Sequence, residues 1–301
     1  MQDKTKIILL IIFLGLIGGA ASTFGKIALR EVSPVIFNFL RFIVAAIVLL
    51  PFLIGTRDAV ENKKKLILIS LFATGNVMFF VFGLKFTTAT ISQTLYAGGP
   101  LLAGVFSYFI LKEEINPRKV LGIIIGFVGT LLIIFGPIIN SSSIWNGTFF
   151  GNAMLCLAVI SFSLYAVFSK KYNNEYSSIS FIKYFIFTTL IAQTVFLAFS
   201  PLKDEIASIA RISPLTWFSI IFVGLISTTL YYFLYQRILK GATPVLASMI
   251  LYLQPLAGIL WARILLHERF TPIFLAGGTL IFLGIALVFY DKYFKYSKAD
   301  A

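Results

Sequence analysis

A chain of 301 residues that is 59% hydrophobic and 12% charged lies far from a soluble domain, where roughly 45–50% apolar and about 25% charged residues are usual, and this excludes a fold wetted on all sides. The net charge of +13 does not mark a nucleic-acid surface, because Lys and Arg fall in short gaps between apolar runs rather than on one basic face. A single cysteine, Cys156, and a single histidine, His267, exclude an internal disulfide and a zinc cluster built from Cys and His.

A bilayer core about 30 Å thick takes roughly 20 apolar residues of helix. That ruler predicts ten spans, at residues 7–24, 35–54, 66–84, 89–111, 118–135, 148–168, 179–199, 214–235, 243–266 and 272–290. The connections carry helix breakers at Ser33-Pro34, Asn116-Pro117, Gly136-Pro137, Ser213-Pro214 and Thr271-Pro272. The first span follows Lys4 and Lys6 and ends near Gly19-Ala20-Ala21-Ser22, a pattern shared with cleaved signal peptides. The repeat described next needs this span as the partner of the sixth, which favours a membrane helix. With a cytoplasmic N-terminus, alternate connections hold about 17 Lys and Arg inside and about seven outside. That excess places both termini in the cytoplasm of a multi-pass protein of the cell membrane.

Sliding the chain by 155 positions superposes Leu84-Lys85 on Leu239-Lys240, Thr88 on Thr243, Pro100-Leu101 on Pro255-Leu256 and Leu111 on Leu266. Without a gap it continues through Glu113 on Glu268, Pro117 on Pro272, Gly122 on Gly277 and Gly129 on Gly284. An offset of 144 places Phe24 on Phe168, Lys26 on Lys170, Ser33 on Ser177 and Phe37 on Phe181. Shared apolar composition would not align Pro and Glu. The expected fold is therefore all-α and membrane-embedded, with ten transmembrane helices forming two five-helix repeats, residues 1–140 and 141–301, around a central cavity. Because five is odd, the repeats must enter the membrane from opposite sides, the arrangement of many alternating-access carriers.

Several stretches carry a resemblance to a known family. They are Ala21-Ser22-Thr23-Phe24-Gly25-Lys26, Ser33-Pro34 with Phe39-Leu40-Arg41-Phe42, the run from Leu84 to Pro100, and Leu111-Lys112-Glu113. Leu239, Thr243-Pro244, Pro255 and Leu266-His267-Glu268 repeat the pattern. The chain resembles the EamA-type carriers of the drug/metabolite transporter superfamily over nearly its whole length. The resemblance implies ten helices, a central cavity, and export or exchange of amino acids and other small metabolites. The second half carries Phe185 where the first has Arg41.

Polar groups inside spans lose their water partners and should turn toward protein or a cavity. On that ground Asn76, Gln93, Tyr96, Tyr165, Tyr231, Tyr252, Gln254 and Arg41 are the candidate cavity residues. Arg41 has three readings: a structural ion pair or carbonyl contact, snorkelling to the interface, or contact with an anionic group of the substrate. Pro100 and Pro255 should interrupt the fourth and ninth helices, as packing kinks or as hinges that free carbonyls toward a cavity. Glu113 and Glu268 either pair with loop cations or act as gates. The GxxxG match at Gly122 and Gly126 is expected to serve contacts within the monomer. No nucleotide-binding loop is present, and the spans hold no metal cluster or carboxylate pair, so neither a cofactor nor enzymatic activity is expected. The partners are the lipid bilayer and a small-molecule substrate, with no nucleic acid. A secondary transporter working as an exporter is the leading reading; a passive channel is the alternative and a membrane-embedded enzyme a more distant one.

Overall fold

The computed structural model describes residues 4–53, 62–112, 117–140, 143–199, 209–235 and 250–297, and every regular element among them is helical. In chain order these are α1 (Lys4–Ala28), α2 (Pro34–Leu53), α3 (Lys63–Lys85), α4 (Ala89–Leu111, in the two pieces Ala89–Ala97 and Gly99–Leu111) and α5 (Pro117–Ile139). They are followed by α6 (Phe149–Lys171), α7 (Ser178–Ala198), α8 (Pro214–Tyr235), α9 (Ile250–Leu265) and α10 (Pro272–Ser297). Seven of the described helices are long and apolar enough to cross a membrane, and Ile12–Ala28, Leu253–Leu265 and Pro272–Leu287 are shorter apolar stretches. The start of the predicted ninth span lies outside the described residues. At the other end, α10 runs seven residues past the predicted limit at position 290.

Hydroxyl caps and prolines set where the helices begin. Ser33, Thr88, Thr148, Ser177, Ser213 and Thr271 each accept a backbone N–H three residues on through the side-chain oxygen, at 3.0–3.3 Å. Three of them precede the prolines Pro34, Pro214 and Pro272, whose missing N–H is harmless in a first turn. The same logic corrects the reading of Pro100. The fourth helix is interrupted at Gly98, and Pro100 sits in the first turn of the new piece, where it starts a helix rather than leaving a carbonyl unpaired. Pro255 lies inside α9, which continues through it without interruption.

Packing pairs the helices in a regular way. α5 packs on α10, α3 on α6 and α7, α1 on α9 and α8, α4 on α6 and α9, and α2 on α7 and α8. The α5–α10 seam is the closest. A Cβ added to Gly284 would stand 2.5 Å from the Gly122 carbonyl and 2.7 Å from the Gly126 nitrogen, and one added to Gly129 would stand 2.5 Å from the Gly277 carbonyl. Gly122 therefore faces Gly284 while Gly129 faces Gly277, so the two helices run antiparallel, and their backbones touch only because these positions lack side chains. The GxxxG pair serves contacts within the chain, as expected. Large apolar side chains such as Phe109, Ile124, Phe127 and Leu260 cover the outside, where lipid replaces water.

Helix α8 is wound as a π-helix over Val223–Leu230. Thr228 and Thr229 donate their hydroxyls to the Val223 and Gly224 carbonyls, five residues back, at 2.8 and 3.0 Å. These bonds fit the wider turn, which brings Gly224 against the Arg41 backbone of α2. Replacing Gly284 by Val should force α5 and α10 apart at a cost of about 1–3 kcal/mol, the range for overpacking a fitted interior. Thermal unfolding of the detergent-solubilised variant is expected to show a clearly lower midpoint, and an unchanged midpoint would mean the seam is not tight.

Candidate functional site

Two cavities differ in character. The larger, about 440 Å³, is a groove lined by Phe270, Phe274 and Phe282 with Leu275 and Leu283; its apolar rim faces lipid and it presents no charged side chain. The smaller, about 90 Å³, lies in the interior, with lining from α1, α2, α3, α4, α6, α8 and α9. It carries most of the polar groups expected at a site: Arg41, Asn76, Gln93, Tyr96, Tyr231 and Gln254 all reach it. Position and chemistry favour the smaller cavity. It is well below the roughly 300–1,000 Å³ of a ligand pocket, because its polar side chains bond to one another.

Each wall is held by one hydrogen bond between neighbouring helices. Asn76 of α3 donates its amide to the Tyr96 hydroxyl of α4 and also to the Ala158 carbonyl of α6, the latter at 2.9 Å. Across the cavity, the Tyr231 hydroxyl of α8 donates to Gln254 Oε1 of α9 at 2.6 Å. Gln93 donates through Nε2 to Ser22 Oγ of α1 at 2.9 Å, while its Oε1 is buried with no partner. Arg41 is 6% exposed. Its guanidinium carbon lies 5.6 and 5.1 Å from the ring centres of Phe37 and Phe42 and Nε has no hydrogen-bond partner. Among the described residues it forms no ion pair. The side chain therefore points to the interior cavity and does not snorkel.

Other expected residues fall elsewhere. Tyr165 is fully buried one layer behind the cavity, its ring centre 6.3 Å from those of Phe185 and Tyr232. Pro255 lines the cavity, whereas Pro100 does not. Tyr252 lies in α9 with a side chain outside the described residues, and Glu113 is outside them altogether. Tyr232, another polar residue within a span, also lines the cavity, and the sequence reading missed Phe162 and the π-helical Ser227, which line it too. The run Ser227-Thr228-Thr229 after Gly224 was the available signal for the last, since hydroxyls within a helix bond back to carbonyls and deform it.

One end of the bundle is closed by charge and hydrogen bonds. The buried Glu268 carboxylate accepts from the Ala89 and Thr90 amides, each at 2.8 Å, and so caps the N-terminus of α4. Lys26 of α1 donates to the Leu84 and Lys85 carbonyls at 2.8 and 3.1 Å and to the Thr87 carbonyl, which satisfies the C-terminus of α3. Asn152 accepts from the Thr87 hydroxyl at 2.6 Å and donates to the Ile133 carbonyl at 2.9 Å. Asn146 accepts from the Thr271 hydroxyl at 2.7 Å. At the same end Glu31 accepts from the backbone N–H and hydroxyl of Ser213, at 2.9 and 2.8 Å, tying the α1–α2 turn to the start of α8.

Apolar helices of membrane length around a small polar cavity make this a multi-pass membrane protein. The chain matches the EamA-like transporter family in two segments, residues 5–135 and 149–290, and belongs to that family. It is similar to the uncharacterized transporter YoaV of Bacillus subtilis (strain 168), with 27% identity over 93% of this chain and 95% of the relative. An uncharacterized transporter of Archaeoglobus fulgidus is 25% identical over 95% of this chain and 98% of its own length. A protein of known crystal structure shares the fold, with a TM-score of 0.64 at 16% identity, over 94% of this chain and 96% of that one.

The Ser213 N–H, and then its hydroxyl, hold the Glu31 carboxyl below the usual glutamate range. A lowered native value means this contact contributes fully above the ordinary glutamate value of about 4.3 and is lost as pH falls through the native value. Glu31→Gln should therefore lower the thermal midpoint slightly at pH 7, and the gap from wild type should close at pH 3–4. Parallel melting curves would check it, and a gap that widens in acid would contradict it.

Proposed function

We propose that this chain is a secondary transporter that moves a small polar metabolite, an amino acid or a related compound, across the cell membrane by alternating access, in the direction of export. The observation that carries the reading is the interior cavity, built from both halves of the chain and closed around itself by the Asn76–Tyr96 and Tyr231–Gln254 hydrogen bonds. A carrier needs a site enclosed between two access states. The metabolite class and the export direction rest on the family resemblance.

Two inverted five-helix repeats, residues 1–140 and 141–301, would serve alternating access, and four observations support them. The 155-residue offset aligns Pro, Gly and Glu positions. Exchanging each helix of α1 to α5 with its counterpart in α6 to α10 turns the packing pairs named above into one another. Among the described residues, only Lys112 and His267 have positive φ outside glycine, 58° and 53°, and they are 155 apart. Finally, α5 and α10 meet antiparallel at matched glycines, as inverted copies must and parallel copies would not. The basic-residue excess supports cytoplasmic termini.

The test compares metabolites released by cells expressing wild type, Tyr96→Ala or Gln254→Ala. Wild type should raise release of at least one metabolite class, and each variant should lose most of that gain, on the order of tenfold, with normal membrane insertion and monodispersity. Full release by both variants would show that these are packing residues. Saturable counterflow of the released compound into proteoliposomes separates a carrier from a channel. In a Cys156-free background, a cysteine at position 64 should resist an impermeant thiol reagent applied to intact cells, and labelling there would overturn the orientation.

A further inference from the structure

We propose that Arg41 seats a carboxylate, and that the transported solute is a small monoanionic 2-hydroxy carboxylate rather than a zwitterion. This rests on the carrier reading above, and within it replaces the amino acid by its related hydroxy acid. A guanidinium keeps its charge at any pH a protein meets, and an uncompensated one in a span costs about 2.5–3.5 kcal/mol on insertion scales. Natural chains usually offset that cost with a carboxylate. Among the described residues none pairs with Arg41, which is nine-tenths buried, leaves Nε without a partner and lines the cavity.

Charge counting selects the ligand. Arg41 is the one ionised side chain among the residues lining the cavity, so the empty site carries a net charge of about +1. A monoanion brings the loaded site to neutrality, and the planar fork of the guanidinium matches a carboxylate with two parallel hydrogen bonds. A zwitterion leaves the positive charge in place and adds an ammonium group, for which the cavity offers no carboxylate. Gln93, which also lines the cavity, has its Oε1 acceptor buried without a partner. It suits a neutral hydroxyl donor, and burying it unpaired costs about 1–3 kcal/mol. Phe80 and Phe162 supply the apolar wall for the rest of the molecule.

Matched pairs test the assignment, because lactate and alanine, or phenyllactate and phenylalanine, differ only in hydroxyl against ammonium. Proteoliposomes containing the full chain are loaded with all four unlabelled compounds, and uptake of each labelled one is followed in wild type, Arg41→Lys and Arg41→Gln. The expected result is saturable counterflow of at least one hydroxy acid, tenfold or more faster than its amino-acid partner. Arg41→Lys should keep part of that uptake and Arg41→Gln should lose it. Wild-type selectivity decides the matter even if Arg41→Gln fails to fold. Faster counterflow of the amino acids would overturn the charge-matching proposal and leave the carrier reading standing. Counterflow of none of the four would overturn the hydroxy-acid proposal alone, because the carrier reading is decided by counterflow of the compound that expressing cells release.

Discussion

Hydrocarbon offers no hydrogen-bond partner, so every polar group carried into it must be satisfied by the chain itself or by what the chain encloses. Helices settle the backbone. Their ends are settled by Ser and Thr caps, by Glu268 on the start of α4 and by Lys26 on the end of α3. Among side chains within the spans, Asn76 finds Tyr96 and Tyr231 finds Gln254 by turning inward, while Asn38, Arg41, Gln93 and Gln193 keep buried atoms without a partner. The cavity exists because these inward groups converge, and the lipid face is apolar because nothing polar can be left there.

Much of this was legible in the sequence, and the part that was not has physical causes. Hydropathy and the Pro and Ser markers located the helices because a span's length and its breakers are local properties. The offset of 155 matched Gly122 to Gly277 and Gly129 to Gly284 as repeat positions, and the structure brings all four into one seam, since a close backbone crossing tolerates only glycine. Cavity membership was partly legible: inward polarity pointed to Asn76, Gln93, Tyr96, Tyr231, Gln254 and Arg41, which the cavity gathers. The same rule also selected Tyr165, which is buried among rings instead. Composition distinguishes the inside of a bundle from its outside but not one inner layer from the next. The π-helical turn of α8 was missed because it depends on how backbone carbonyls are shared, which hydropathy does not register.

The two carboxylates at the closed end do different work from the cation in the cavity. Glu268 and Glu31 meet backbone amides at the ends of helices, where partial positive charge is already present. Arg41 lies inside a span with aromatic neighbours and no such partner. One arrangement is complete without a ligand and stabilises a particular closure. The other is incomplete, and that contrast is the ground on which the cavity is proposed as the binding site.

The central claim is that one enclosed cavity is presented to each side of the membrane in turn. Its most direct test is the reactivity of Ser227→Cys, a cavity position on α8, in a Cys156→Ala background. An impermeant thiol reagent is applied from either side, before and after a short cross-linker joins cysteines placed at Ala89 and Glu268, which are bonded across the closed end. The account predicts labelling from both sides before cross-linking, and afterwards labelling only from the side opposite the cross-link. Equal labelling from both sides in both conditions would contradict it.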